Sequence, residues 1–164
     1  MRDPEPFDPG AILRVLAAHG VDHVVIGGIA AALHGADHVT TDIDITPRRD
    51  APNAQRLSSA LAELDARIRV AGIVGGLSFD HDGRSLLGSG VWNLTTRHGD
   101  LDISFIPTGT DGWDDLRPGA VVVDLDGTSV AVAALEDVIR SKEAADRPKD
   151  RLILPALRAL LGHR

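Results

Sequence analysis

The 164 residues, 43% hydrophobic and 25% charged, suffice to bury a core without staples and predict one domain over 1–164. The absence of cysteine excludes a disulfide framework, thiolate metal sites and a cysteine nucleophile. A net charge of -7 argues against a general nucleic-acid coat, because phosphate binding is driven by Lys and Arg.

The lead-in over 1–9, with Pro4, Pro6 and Pro9, is expected to be extended. It lacks the basic-then-apolar pattern of a signal peptide, and no apolar run reaches ~18 residues, so a cytoplasmic protein with no membrane partner is expected. Asp8 can cap a helix with Pro9 at its first position, running through Ile12, Leu13, Val15 and Leu16 to a stop at Gly20. Val24-Val25-Ile26, bounded by Gly27-Gly28, reads as a buried strand, and Ile29 to His34 as a short helix ended by Gly35. Thr40 to Thr46 alternates as a strand does. Asp50 and Pro52 open a helix to about Leu64, and Arg67 to Ile73 reads as a strand. Gly75 to Gly90 is glycine-rich and ambiguous; Asp80-His81-Asp82-Gly83 within it reads as a turn. Val91 to Thr96 and Leu101 to Ile106 flank a turn at His98-Gly99-Asp100. Asp126-Gly127 marks a second hairpin, between Val121–Val123 and Ser129–Val132. Two helices follow, over Leu135 to Ala145 and Pro148 to Leu161. The order predicts an α+β fold: a mixed sheet flanked by helices, with the C-terminal pair packed on the core.

Three features carry candidate chemistry. Gly27-Gly28 lies between a strand and a helix, where glycine lets backbone approach a ligand and free amides suit a phosphate; a plain turn is the other reading. Asp42 and Asp44 lie two apart on a strand, so both carboxylates share one face. Side by side they repel, and a divalent cation such as Mg2+ or Mn2+ removes the conflict; the other reading is a solvent face of an edge strand. Asp102, between Leu101 and Ile103, points off the core face and joins the pair if its strand lies beside theirs. Asp100 shares that face but sits at a turn, and is taken as structural.

Other patterns fall away. His34 and His38 have the zinc-helix spacing but Gly35 between them, and Pro47 stands where an EF-hand loop needs glycine. Trp92 and Trp113 either stack a base or pack at the core rim. Arg48 and Arg49, just past the Asp strand, either meet an incoming phosphate or are simply exposed. With 15 Arg and 2 Lys, each lysine stands out.

Val25-Ile26-Gly27-Gly28-Ile29-Ala30-Ala31-Ala32-Leu33-His34-Gly35, followed by Thr40-Thr41-Asp42-Ile43-Asp44, resembles the signature of the DNA polymerase β-like nucleotidyltransferases. The stretch from Leu135 through Lys142 to Arg147-Pro148-Lys149-Asp150 resembles the branch containing AbiEii/MenT-type toxins. Many relatives carry Arg where this chain has His38. The resemblance covers about residues 22–160. It implies two-metal transfer of a nucleoside monophosphate from an NTP to an acceptor hydroxyl on a tRNA end, a protein or a small molecule, in a protein that is a toxin with a cognate antitoxin. It implies that Asp42, Asp44 and Asp102 hold the metals and that Asp102 takes the proton. Gly27 and Gly28 orient phosphates, Lys142 neutralises the leaving pyrophosphate, and Arg147 and Asp150 complete the pocket. Arg48, Arg49, Arg140 and Arg147 are the candidates for a basic groove, and Lys149 is left to solvent. The alternative is a catalytically silent nucleotide- or partner-binding module of the same fold.

Overall fold

The computed structural model describes residues 6–163. The extended lead-in expected over 1–9 lies outside the described residues as far as position 5. Pro6 to Asp8 form no regular element, and helix α1 (Pro9–Ala18) begins where Asp8 accepts from the Ala11 amide at 3.0 Å. Strand β1 (His23–Ile26) runs directly into α2 (Gly27–Leu33), which begins two residues earlier than the sequence suggests because Gly27 makes the turn at φ +69°. Next come β2 (Asp42–Pro47) and α3 (Ala51–Glu63), the latter capped by the Asp50 carboxylate. The single strand expected over Arg67 to Ile73 is instead a hairpin of β3 (Arg67–Val70) and β4 (Ile73–Leu77), because Gly72, at φ +81°, reverses the chain.

Within the ambiguous Gly75–Gly90 stretch lies a one-turn helix, α4 (Gly83–Leu87), whose Asp82 and Ser85 form a reciprocal cap. Hairpin β5 (Val91–Thr96) and β6 (Gly99–Ser104) follows as expected, then an unexpected short helix α5 (Trp113–Leu116). Hairpin β7 (Val121–Leu125) and β8 (Thr128–Val132), then α6 (Leu135–Ala145) and α7 (Pro148–Gly162), complete the chain.

All eight strands form one sheet in the order β4-β3-β5-β6-β2-β1-β8-β7. Neighbours are antiparallel except β2 with β6 and β1 with β8, so the sheet is mixed. Ile43 and Ile45 of β2 and Leu101 and Ile103 of β6 are buried in one core with Leu16 and Leu57. The same core takes Val138, Ile139, Leu154 and Leu157 from the two C-terminal helices, which therefore pack on it as expected. The alternation that buries those isoleucines turns Asp42, Asp44, Asp100 and Asp102 to the other face.

Candidate active site

The parallel pairing of β2 with β6 sets Asp44 opposite Asp102 and Asp42 opposite Asp100. Each of Asp42, Asp44 and Asp102 thereby offers a carboxylate oxygen within 4.8 Å of the other two. The row continues across the sheet. Asn93 on β5 pairs with Asp102, Ile26 on β1 pairs with Asp44, and Ile68 pairs with Leu94, which carries Arg69 to the level of Asn93. Arg69, Asn93, Asp102, Asp44 and Ile26 thus cross four strand boundaries on one face, and Gly27 follows immediately.

Three negative charges at that spacing strain one another. Burial first, then the charges of Asp42 and Asp102, push the Asp44 carboxyl from 3.8 to about 7, against the opposing pull of Lys149 and Lys142. Burial pushes Asp102 up to about 6, although the Arg69 guanidinium, 2.6 Å from its Oδ1, works the other way. Arg69 also lies 3.5 Å from Asp100 and donates to the Leu94 carbonyl at 3.0 Å, so it is fixed on the far side of the cluster. Asp42 accepts from the Thr40 hydroxyl at 3.0 Å. Hard oxygen donors on one face, two of them held above their usual carboxylate range, are the donor set that Mg2+ or Mn2+ takes. Arg69 bonds Oδ1 of Asp102, and each of the three residues still offers a carboxylate oxygen to the cluster, so the set fits a divalent cation.

Gly27 and Gly28 stand beside this cluster. A Cβ on Gly27 would overlap the Asp44 carboxylate, and one on Gly28 would come within 2.9 Å of His38 Nε2. Glycine is required at 27 both by its positive φ and by contact with Asp44. Helices α6 and α7 close the side beyond α2. Lys142 is buried, and its ammonium lies 3.6 Å from Asp150, whose side chain has no exposed surface. Burial would raise Asp150, but hydrogen bonds from the Arg147 side chain (2.7 and 3.1 Å) and backbone amide hold it below the usual range. Asp150 is thus a brace for Lys142 and Arg147, which line the cavity while it does not. The cavity measures about 300 Å3 and is lined by all three aspartates, both glycines, Lys142 and Arg147.

The structure does not bring Arg48 to the cavity. Its Nε is 2.8 Å from Asp50 and its guanidinium lies over the Trp113 ring, so it lines a separate depression with Arg49 and Phe105. Arg140 is engaged by Asp115 and Asp137, both at 3.0 Å. The expected groove of Arg48, Arg49, Arg140 and Arg147 is therefore not assembled at this mouth; only Arg147 of the four lines it. Trp92 donates to the Leu86 carbonyl and packs against the core.

Sequence reasoning missed three residues. Lys149, left to solvent, is exposed but lines the cavity and acts on Asp44. Its rarity made it stand out, but a lone lysine on a helix carries no signal of the direction it faces. The Arg67-Ile68-Arg69 alternation did place Arg69 on a face, but only the strand order shows that the face is that of Asp102. Asn93 had the same obstacle.

Among solved structures, lincomycin-bound LnuA, a lincosamide antibiotic adenylyltransferase, matches with a TM-score of 0.60 at 15% identity, over 93% of this chain and 95% of its own. A Thermotoga maritima protein assigned as a nucleotidyltransferase matches with a TM-score of 0.54 at 19% identity, over 98% of each chain. The antibiotic-resistance factor ANT(2'')-Ia matches at 0.55 and 16%, over 94% of this chain and 81% of its own. No protein-family model and no curated protein matches. Nearly the whole of the chain has the nucleotidyltransferase-like fold, an α+β sandwiching of one mixed sheet.

Proposed function

We propose that this protein is a metal-dependent nucleotidyltransferase that moves a nucleoside monophosphate from an NTP to an acceptor hydroxyl. One observation carries the reading: Asp42, Asp44 and Asp102 converge within 4.8 Å beside a glycine-started helix, with Lys142 and Lys149 facing them. The fold shared with LnuA and ANT(2'')-Ia is consistent with it.

Asp42, Asp44 and Asp102 would hold the divalent cations. When bound, such ions neutralise the triphosphate and acidify the attacking hydroxyl. The chain's own groups do the rest. Gly27 and Gly28 let the start of α2 lie against Asp44 and His38, where a Cβ would clash, so its backbone stands beside the carboxylates at which phosphates would bind. Lys142, braced by Asp150, meets the negative charge that grows on the leaving pyrophosphate, a contact typically worth ~3 kcal/mol of barrier. Asp102 accepts the acceptor's proton, and Arg69 fixes the orientation of that carboxylate.

The finer reading of a toxin, with tRNA as acceptor and an antitoxin as partner, rests on the resemblance of the Gly27–Asp44 and Lys142–Asp150 stretches. The hold of Arg69 on Asp102 is the observation that would suit a silent binding module instead. One assay separates these readings. With α-labelled NTPs and Mg2+, the wild type should release pyrophosphate and transfer label, and Asp44→Ala should do neither while remaining folded. Nucleotide binding without turnover in the wild type would favour the module, and a fully active Asp44→Ala would remove the metal role.

A further inference from the structure

The cavity divides by charge along the row of aspartates. Every cationic side chain lining it, Lys142, Arg147 and Lys149, comes from α6 or the start of α7, on the α2 side of the triad. The opposite side is built by β5 and β6, whose lining residues next to Asp102 are Val91, Asn93 and Ser104. None of these is charged. The nearest guanidinium there, Arg69, is held by Asp102 and Asp100, and Arg67 on the same strand faces Asp65. Asn93 is exposed, lies opposite Asp102 in register, and its amide has no hydrogen-bond partner among the described residues. Directly paired residues hold their Cβ atoms ~5 Å apart, so one ligand can touch both side chains.

A triphosphate belongs on the cationic side, and its acceptor must come from the other. RNA and other phosphate-bearing acceptors are held by Lys and Arg, and among the described residues the β5 and β6 wall of the cavity presents neither. We infer that the β5 side receives a small polyhydroxylated acceptor carrying no phosphate, and that Asn93 hydrogen-bonds it next to the hydroxyl that reacts. This rests on the transferase reading above. In the step, the acceptor oxygen bonds to the α-phosphorus, its proton passes to Asp102, and the bond from that phosphorus to the bridging oxygen breaks, releasing pyrophosphate. Asn93 donates and accepts without changing charge, as suits a neutral hydroxylated or amino-hydroxylated molecule.

The test uses α-labelled NTP, Mg2+ and the full chain with three separate acceptor pools. These are total tRNA, total cell protein, and a phosphatase-treated small-molecule extract supplemented with lincomycin and tobramycin. Label in the small-molecule pool is expected. Label in tRNA or protein overturns the proposal, and so does label in none of the pools while the NTP is still hydrolysed to NMP and pyrophosphate. Failure of the transferase reading is distinct from all of these: the NTP is not turned over, whether or not it binds. With the labelled acceptor in hand, Asn93→Leu should raise its KM about tenfold, the loss of one hydrogen bond, with the KM for NTP within about twofold. An equal rise in both, or in neither, removes Asn93 from acceptor binding.

Discussion

Asp44→Asn should make the cation-free protein more stable at alkaline pH. In the folded chain burial, followed by the Asp42 and Asp102 charges, lifts the Asp44 carboxyl from 3.8 to about 7, although Lys149 and Lys142 oppose the rise. Below its unfolded value the group is protonated in both states and costs nothing. The cost of ionising it in place grows as pH rises from about 4 and is complete above about 7. At ~1.4 kcal/mol per pH unit, the interval amounts to ~4 kcal/mol. An amide at 44 removes that cost. For a domain of this size ~1 kcal/mol moves Tm by ~2–4 °C, so the variant should melt about 10 °C above the wild type at about pH 8 in EDTA. At about pH 4 the two should melt together. Mg2+ should then reverse the order, because binding to the folded state stabilises the wild type and not the variant. Thermal unfolding at the two pH values, with EDTA or a Mg2+ titration, reads all of this. A variant no more stable than the wild type at alkaline pH in EDTA, or an equal gain from Mg2+ in both, refutes the claim that burial and the neighbouring carboxylates make ionised Asp44 costly to the fold.

Two further substitutions probe the supports. Arg69→Ala removes the guanidinium that pulls Asp102 down, so burial should carry its pKa above about 6 and shift the acidic limb of kcat/KM to higher pH; a limb that stays put or moves down would show that Asp102 is not the proton acceptor. Asp150→Ala strips the fully enclosed carboxylate from Arg147 and Lys142, leaving a buried ammonium without its anion, and should cost ~3 kcal/mol or more in urea unfolding. A loss below ~1 kcal/mol would mean that Lys142 is solvated rather than braced.

What could be read in the sequence follows from the range of each signal. The Asp42-Ile43-Asp44 alternation is a local fact, and it fixed which face the carboxylates take before any neighbour was known. Gly27 at a strand end was legible as a special position, but its reason, contact with the Asp44 side chain seventeen residues on, was not. Asp102 could be aimed off the core by Leu101 and Ile103, yet its meeting with Asp44 needed β2 and β6 to be parallel neighbours, which no short pattern encodes. Gly72 reversed a run that reads as one strand from Arg67 to Ile73. Arg48 misled for the opposite reason: proximity in sequence to Asp44 put it near the site on paper. An extended strand carries it ~3.3 Å further away with each residue, and Asp50 then captures it.

The same distinction explains why charge is divided across the cavity. Apart from Arg69, which Asp102 and Asp100 hold, the lysines and arginine of the described residues that line the cavity come from α6 and the start of α7, elements that follow the sheet in sequence and pack beyond α2. The β5–β6 hairpin reaches it from the other side, and its turn-driven register fixes Asn93 against Asp102. A cation moved to the hairpin would meet Asp102 and be neutralised there, as Arg69 is; Lys142 and Arg147 stay clear of that carboxylate and face the cavity while braced from behind by Asp150. The sheet order therefore determines more than where the aspartates meet. It separates the groups that would hold a polyanion from those that would present a hydroxyl, so both substrates can approach the same three carboxylates from opposite sides.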